Sequence, residues 1–130
     1  WLLQIETPNH AARDPLIGRL YENLVVMEAL KAAYNRGEEP RLTFYRDKSG
    51  LEVDLIRAYQ RRPFAIEIKA AATFDPEMLR SIERFRELHG DLAGSAVIYS
   101  GPQQPAVRGV TITNHALTAQ LLCEDAAGRR

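Results

Sequence analysis

LEVDLIRAYQRRPFAIEIK, residues 51–69, is the stretch of sequence that decides the fold. Apolar and charged residues alternate at both of its ends, and polar residues at 60–63 separate them. This pattern predicts two strands joined by a turn, over residues 51–58 and 64–70. In the first strand, alternation places three aliphatic side chains on one face and two acidic side chains on the other: Leu51, Val53 and Leu55 against Glu52 and Asp54.

The second strand alternates in the same way. Ile66 and Ile68 are expected on one face with Phe64, while Glu67 and Lys69 are expected on the opposite face with Ala65. Both strands therefore carry charged groups in the middle of an apolar sequence. If the two strands pair through the short turn, Asp54 and Glu67 lie side by side.

Two facing carboxylates repel each other, and burial increases the repulsion unless a cation lies between them. Magnesium prefers oxygen ligands and often uses one or two carboxylates together with waters. The sequence therefore predicts an Mg²⁺ or Mn²⁺ site with Asp54 and Glu67 as ligands and the carbonyl of Ile68 as a further oxygen. Lys69 is expected beside the metal, where it could orient a water or stabilise charge on a phosphate.

Glu22 is the fourth candidate, at the margin of the apolar stripe of the first helix and one turn after Gly18. Taken singly, each candidate also fits an ordinary structural role. Glu22 could be a solvated boundary residue, Asp54 could belong to the polar face of a half-exposed hairpin, and Glu67 and Lys69 could form a surface ion pair. Their combination favours a site.

The remaining elements follow from local signals. Asp14-Pro15 predicts the start of a helix that ends near residues 35–37, after a loop over 1–13. Asp75-Pro76 predicts a second helix, ended by Gly90. The expected apolar faces of these helices are Leu16, Ile17, Leu20, Tyr21, Leu24, Val25 and Met27 or Glu28, and Met78, Leu79, Ile82, Phe85 and Leu88. Further strands are predicted at 42–46, 95–99 and 110–112, and a last helix from the cap Asn114 through Leu122.

This order, α-β-β-β-α-β with a further strand and helix, predicts an α/β (α+β) fold in which helices flank a mixed central sheet. The 130 residues suit a single domain. Seventeen basic residues balance seventeen acidic ones, so net charge neither supports nor excludes a nucleic-acid partner. Two groups of arginines could form solvated faces or contact phosphates: Arg57, Arg61 and Arg62, and Arg80, Arg84 and Arg86.

Cysteine usage and hydropathy set further bounds. The single cysteine, Cys123, can form neither an internal disulfide nor a zinc–thiolate cluster, and it fits a reducing cytoplasm. No apolar run approaches the roughly 20 residues of a membrane span.

Three strings carry a resemblance to a known family: Gly18 to Val25, Phe44 to Asp54, and Ile66 to Lys69. They resemble an uncharacterised domain found C-terminal to AAA-type ATPase modules in many prokaryotic proteins. That domain is similar to the PD-(D/E)XK, or restriction-endonuclease-like, nuclease superfamily. The resemblance runs from about Asp14 to Ile112 and implies the same element order as the periodicity does.

The resemblance also implies roles and a partner. The helix glutamate, the strand aspartate and the E-x-K motif of the superfamily fall on Glu22, Asp54, Glu67 and Lys69. It implies a metal-dependent endonuclease acting on DNA, with an ATPase domain upstream that agrees with a first residue, Trp1, other than methionine. Residues 1–13 are then a lead-in, 14–124 the nuclease-like domain and 125–130 a disordered tail. A non-catalytic regulatory or interaction module, and nucleic-acid binding without cleavage, stay open as alternatives. Oligomeric state stays open as well.

Overall fold

The computed structural model describes residues 5–59 and 61–127, and a six-stranded mixed sheet forms its centre. The strands are β1 (Leu42–Arg46), β2 (Glu52–Tyr59), β3 (Arg62–Lys69), β4 (Gly94–Tyr99), β5 (Gln104–Val107) and β6 (Val110–Asn114). Their spatial order is β1-β2-β3-β4-β6-β5. The first three strands are antiparallel neighbours, β4 is parallel to both β3 and β6, and β5 is antiparallel to β6.

Within the described residues, four helices accompany the sheet: α1 (Pro8–Arg13), α2 (Ile17–Asn35), α3 (Arg80–His89) and α4 (Thr118–Ala127). Short 3₁₀ turns lead into α3 and α4, over Pro76–Leu79 and His115–Leu117. The predicted cap residues are in place, because Asp75 accepts a hydrogen bond from the Glu77 N–H and Asn114 accepts one from the Ala116 N–H. The predicted α/β (α+β) class and the order α-β-β-β-α-β are therefore present from α2 through β4.

The core lies on both faces of the sheet. On one face, α2 and α4 pack on the central strands through an apolar cluster that includes Tyr21, Val25, Ile66, Ile98 and Leu122. On the other face, α3 and its 3₁₀ turn cover two clusters, which include Leu79, Ile82 and Ile112, and Val53, Ala65 and Phe85. The helices thus flank the sheet as predicted, and β2 and β3 are covered on both sides.

The predicted facing of β2 is wrong at Leu55. Leu51 and Val53 pack on the α3 side, whereas Leu55 packs on the α2 side with Ile66. The cause is a β-bulge: between two paired positions, β1 contributes one residue, Phe44, while β2 contributes two residues. The extra residue reverses the alternation of side chains after Val53. The predicted facing of β3 is correct, because Ile66 and Ile68 pack with Phe64 on the α2 side.

The N-terminal predictions also need correction. The loop predicted over residues 1–13 contains α1, which begins at Pro8 after Thr7 accepts a hydrogen bond from the His10 N–H; residues 1–4 lie outside the described chain. Asp14 does not cap α2 directly. Its carboxylate accepts a hydrogen bond from the Leu16 N–H in the turn before the helix, so α2 begins at Ile17.

Several large apolar residues predicted to face the core are exposed. Leu24 and Met27 on α2 are 41% and 52% exposed, and Leu88 on α3 is 58% exposed. The buried stripe of α2 instead continues through Ala29 to Ala32 and Ala33, since small side chains let the helix approach the sheet and α4 closely.

The C-terminal third extends the prediction. β5 was not predicted, and α4 continues to Ala127, beyond the predicted end at Leu122. Residues 128–130 of the predicted tail lie outside the described chain. Within residues 5–59 and 61–127, none of the helices combines the length and apolar character that crossing a bilayer requires.

Candidate metal centre

A polar cleft of about 410 Å³ opens where β2 and β3 diverge, between the first turns of α2 and the start of α3. It brings together the four side chains that the sequence predicts as a site: Glu22, Asp54, Glu67 and Lys69. The other lining residues are Arg19, Arg46, Gly50, Glu52 and Ser81.

The divergence of the two strands determines the position of Asp54. The β2–β3 ladder runs from the Tyr59–Arg62 pair to the Leu55–Ile66 pair and ends there. Beyond this point the Ile68 N–H donates a hydrogen bond of 2.7 Å to Oδ2 of Asp54. The Asp54 carboxylate thus takes the place of a backbone carbonyl as the acceptor for Ile68. Burial raises the pKa of Asp54, whereas this hydrogen bond and the charge of Lys69 oppose the rise. The carboxylate is thus fixed in orientation at the floor of the cleft.

Glu67 is the most unusual group in the cleft. Its side chain projects from the middle of β3, and the residue is only 3% exposed. Its Oε1 is paired with the Lys69 Nζ at 2.5 Å, while its Oε2 is buried and has no hydrogen-bond partner among the described residues. Burial and the negative charge of Asp54 raise the pKa of Glu67 to about 7, although Lys69 and nearby Ser81 oppose the rise. A buried carboxylate oxygen without a partner is costly, and it needs a cation or a proton.

Lys69 and Glu22 complete the charge pattern. Burial alone would lower the pKa of Lys69, but the hydrogen bond to Glu67 and the carboxylates of Asp54 and Glu22 raise it above its ordinary value. Lys69 is therefore a firmly charged ammonium, and its side chain is 43% exposed toward the cleft. Burial and the charge of Asp54 raise the pKa of Glu22, which places this helix carboxylate within electrostatic reach of the strand residues.

The cleft is not a complete set of protein ligands. Among the described residues, no group of three or more Asp, Glu, His or Cys side chains stands close enough to hold a metal ion alone. Ile68 contributes its N–H to Asp54 and does not line the cleft, so a role for its carbonyl stays a prediction. The negative charge of Asp54 acts on both Glu67 and Glu22, which makes it the carboxylate that links the strand and helix acids.

Three lining residues have no assigned role in the sequence-based site. Ser81 lies beside Glu67 because α3 packs over β3, a tertiary contact that the sequence around Ser81 does not indicate. Arg19, one turn before Glu22, has the i, i+3 spacing that could have identified it as a neighbour. Arg46 pairs with Glu52 at 3.9 Å across β1 and β2.

A family model described as a domain of unknown function, DUF4143, matches residues 17–118. The chain belongs to this family. The DUF4143 match contains α2, all six strands and α3, and it includes the four predicted site residues. The predicted membership of an uncharacterised domain family is therefore correct. No curated protein matches the chain.

Proposed function

We propose that this DUF4143 domain is a divalent-metal-dependent nuclease that hydrolyses phosphodiester bonds of DNA. The observation that carries the proposal is the buried Oε2 of Glu67, which has no hydrogen-bond partner in the described part of the chain and lies near the Asp54 carboxylate in a cleft with a charged lysine. Such a group is unfavourable in an isolated fold. Functional sites are where proteins retain groups of this kind.

The donors present fit a hard divalent cation. The candidate donors are carboxylate oxygens, which Mg²⁺ and Mn²⁺ accept, and none of the described residues brings sulfur or imidazole to the cleft. Asp54 and Glu67 would hold the cation, with Glu22 as an additional ligand or as the acceptor for a bound water. Two protein carboxylates with several waters is an ordinary magnesium site, so the absence of a third close protein ligand does not oppose the assignment.

Each residue then has a defined task. A bound divalent cation would supply charge for the transferring phosphoryl group and acidify a water. Asp54, held by the Ile68 N–H, offers a fixed carboxylate at no further ordering cost. Lys69 holds a positive charge next to Glu67, where it can orient an anionic nucleophile or stabilise charge on the phosphate. A cation bound beside Glu67 would lower the pKa of this carboxyl and so displace its proton.

The proposal includes the finer relationship that the sequence resemblance implies. A helix glutamate, a strand aspartate and an E-x-K motif, carried by elements in the order α-β-β-β-α-β, are the features of the PD-(D/E)XK superfamily. Glu22, Asp54, Glu67 and Lys69 occupy those positions around one cleft, which supports membership. An AAA-type ATPase in the same chain is part of the same proposal.

The experiment is cleavage of plasmid and oligonucleotide DNA with Mg²⁺, with Mn²⁺ and with a chelator. We expect cleavage that requires the metal and is lost in Asp54→Asn and in Lys69→Ala. Lys31→Ala is the matched control, because Lys31 is an exposed lysine of α2 that pairs with Glu28 and does not line the cleft. Equal cleavage by the Lys69→Ala and wild-type proteins would remove the proposed role of this lysine.

A non-catalytic interaction module is the second candidate. It is favoured by the neutral net charge and by the lack of three converging ligands among the described residues. This candidate predicts no cleavage with any metal and no loss of stability on chelation, and it predicts that partner binding survives Lys69→Ala.

A further inference from the structure

The acid cleft continues into a second cleft of about 220 Å³ on the α3 side of the sheet. The two clefts share Gly50, Glu52 and Ser81, and the second is completed by Leu51, Arg80 and Arg84. A single groove thus runs from the carboxylates of the candidate metal centre to two arginines at the start of α3. The charge changes sign along the groove, from acidic at Asp54 and Glu67 to basic at Arg80 and Arg84.

Two arginines of the clusters in the sequence, Arg57 and Arg86, are used within the fold. Arg57 donates a hydrogen bond to the Leu122 carbonyl and pairs with Glu38. Arg86 donates to the Ser95 hydroxyl at 2.9 Å. These contacts give both side chains a structural role and leave them little freedom to bind a ligand.

Arg80 and Arg84 differ from them. Arg80 is exposed, and its guanidinium makes no hydrogen bond or ion pair within the described part of the chain. Arg84 makes a single hydrogen bond of 3.2 Å to the Ser49 hydroxyl in the β1–β2 turn. The charge of Arg84 also acts on the nearby carboxylate of Asp47, whose Oδ1 accepts hydrogen bonds from the Ser49 hydroxyl and from the N–H groups of Ser49 and Leu51. Both guanidinium groups therefore keep donors available in the groove.

We propose that Arg80 and Arg84 bind a backbone phosphate adjacent to the one that is hydrolysed, so that the substrate is a polynucleotide strand lying along the groove. The inference rests on the proposed function for the reacting phosphate. The two arginines are four residues apart, which puts them on one face of α3. Guanidinium groups match phosphate oxygens in geometry and charge. A mononucleotide or a free phosphate monoester has no second phosphodiester to occupy this end of the groove.

The test is binding of a labelled single-stranded oligonucleotide of about twenty nucleotides, measured by fluorescence anisotropy with chelator present so that no cleavage occurs. For Arg80→Ala/Arg84→Ala we expect affinity to fall at least about tenfold at low salt. The slope of log affinity against log salt should decrease by about 0.7, corresponding to one neutralised phosphate on a single strand. Arg80→Lys/Arg84→Lys keeps the charges and should keep most of the slope.

Arg61→Ala/Arg62→Ala is the matched control. It removes the same number of positive charges, two, from exposed positions at the β2–β3 turn. This turn is at the end of the hairpin opposite Asp54. We expect its salt slope to equal that of the wild type. Equal losses in both double variants, or no loss in Arg80→Ala/Arg84→Ala, would overturn the subsite. So would displacement of the oligonucleotide by inorganic phosphate as effectively as by unlabelled strand.

The outcomes separate this inference from the proposed function. If the salt slope falls in Arg80→Ala/Arg84→Ala but the wild type shows no metal-dependent cleavage, the phosphate subsite is supported and the proposed hydrolysis is contradicted. If the wild type cleaves DNA with metal but the salt slope of the double variant is unchanged, the hydrolysis is supported and the subsite is contradicted. A wild-type protein that does not bind the oligonucleotide overturns the subsite directly.

Discussion

Replacing Glu67 with glutamine should stabilise the isolated fold, and the gain should depend on pH. Glutamine keeps the size of the side chain and removes the charge from a residue that is 3% exposed. The pKa of Glu67 rises from an ordinary value of 4.5 to about 7 in the fold. Because one pKa unit corresponds to about 1.36 kcal/mol, ionised Glu67 lowers the free energy of unfolding by about 3 kcal/mol.

The direction of the effect follows from proton linkage. The folded chain holds the Glu67 proton more tightly than the unfolded chain does, so the favourable contribution is fully present below about pH 4.5. It is lost as pH rises through about 7. The difference in unfolding free energy between Glu67→Gln and wild type should therefore grow by about 3 kcal/mol between about pH 4.5 and pH 8.5. Any constant cost of losing the Lys69 ion pair cancels in this comparison.

The assay is urea unfolding followed by far-ultraviolet circular dichroism in the presence of a chelator, at a series of pH values. Glu87→Gln is the matched control, since Glu87 is an exposed glutamate of α3. Its difference from wild type measures the effect of removing a glutamate charge outside the cleft. Addition of Mg²⁺ or Mn²⁺ at high pH should reduce the difference in unfolding free energy between Glu67→Gln and wild type. Metal at a hundred times Kd stabilises the wild type by about 2.7 kcal/mol, whereas it stabilises Glu67→Gln by less. A pH-independent difference for Glu67→Gln would refute the reasoning.

Three further substitutions test the surroundings of the site, each by urea unfolding. Gly101→Ala should cost about 1–3 kcal/mol, because a Cβ at this buried position would lie well inside contact distance of the Ala72 carbonyl and the Tyr99 ring; an unchanged stability would contradict the packing. Gly18→Ala should stabilise α2 by up to about 1 kcal/mol, since a Cβ there meets no atom within 4 Å. A loss of stability would show that the position is not open. Asp75→Ala should lower the free energy of unfolding by about 1 kcal/mol, because the cap before α3 is lost. Asp75→Asn should keep most of the capping stability.

The extent to which the sequence predicts the fold depends on how local each signal is. Strand β3 was predicted well, because regular alternation from Phe64 to Lys69 requires no information from other strands. The side of the sheet on which each β2 side chain lies was not predicted correctly, because the bulge opposite Phe44 is a property of the β1–β2 pair. The same irregularity lies next to Asp54, so the local departure from alternation coincides with the candidate site.

Other errors have equally specific causes. The sequence places Leu24 and Met27 in the core stripe because their side chains are large and apolar, whereas the close packing of α2 uses alanines such as Ala29. Strand β5 is short, lies at the sheet edge and contains Pro105, which argues against a strand in a sequence pattern. It forms because β6 is available as a partner.

The candidate site, like the fold, divides into features that local sequence signals predict and features that depend on tertiary packing. Glu22, Asp54, Glu67 and Lys69 could be grouped from residue type, spacing and resemblance, and they do line one cleft. The unpartnered Oε2 of Glu67 and the second cleft beside α3 depend on packing between distant segments, which no sequence pattern encodes.

Calorimetric titration of Mn²⁺ and Mg²⁺ into wild type and Asp54→Ala, with and without a cleavage-resistant oligonucleotide, tests the proposed metal centre most directly. Asp54→Ala removes the acceptor of the Ile68 N–H but no residue of the β2–β3 ladder, which ends at Leu55, and circular dichroism checks its fold. We predict that wild type binds the metal, releases protons near neutral pH as Glu67 ionises, and binds more tightly with the oligonucleotide present. Asp54→Ala should lose this binding. Equal metal affinity in the two proteins, or no binding to wild type even with the oligonucleotide, would contradict the proposed metal-dependent nuclease.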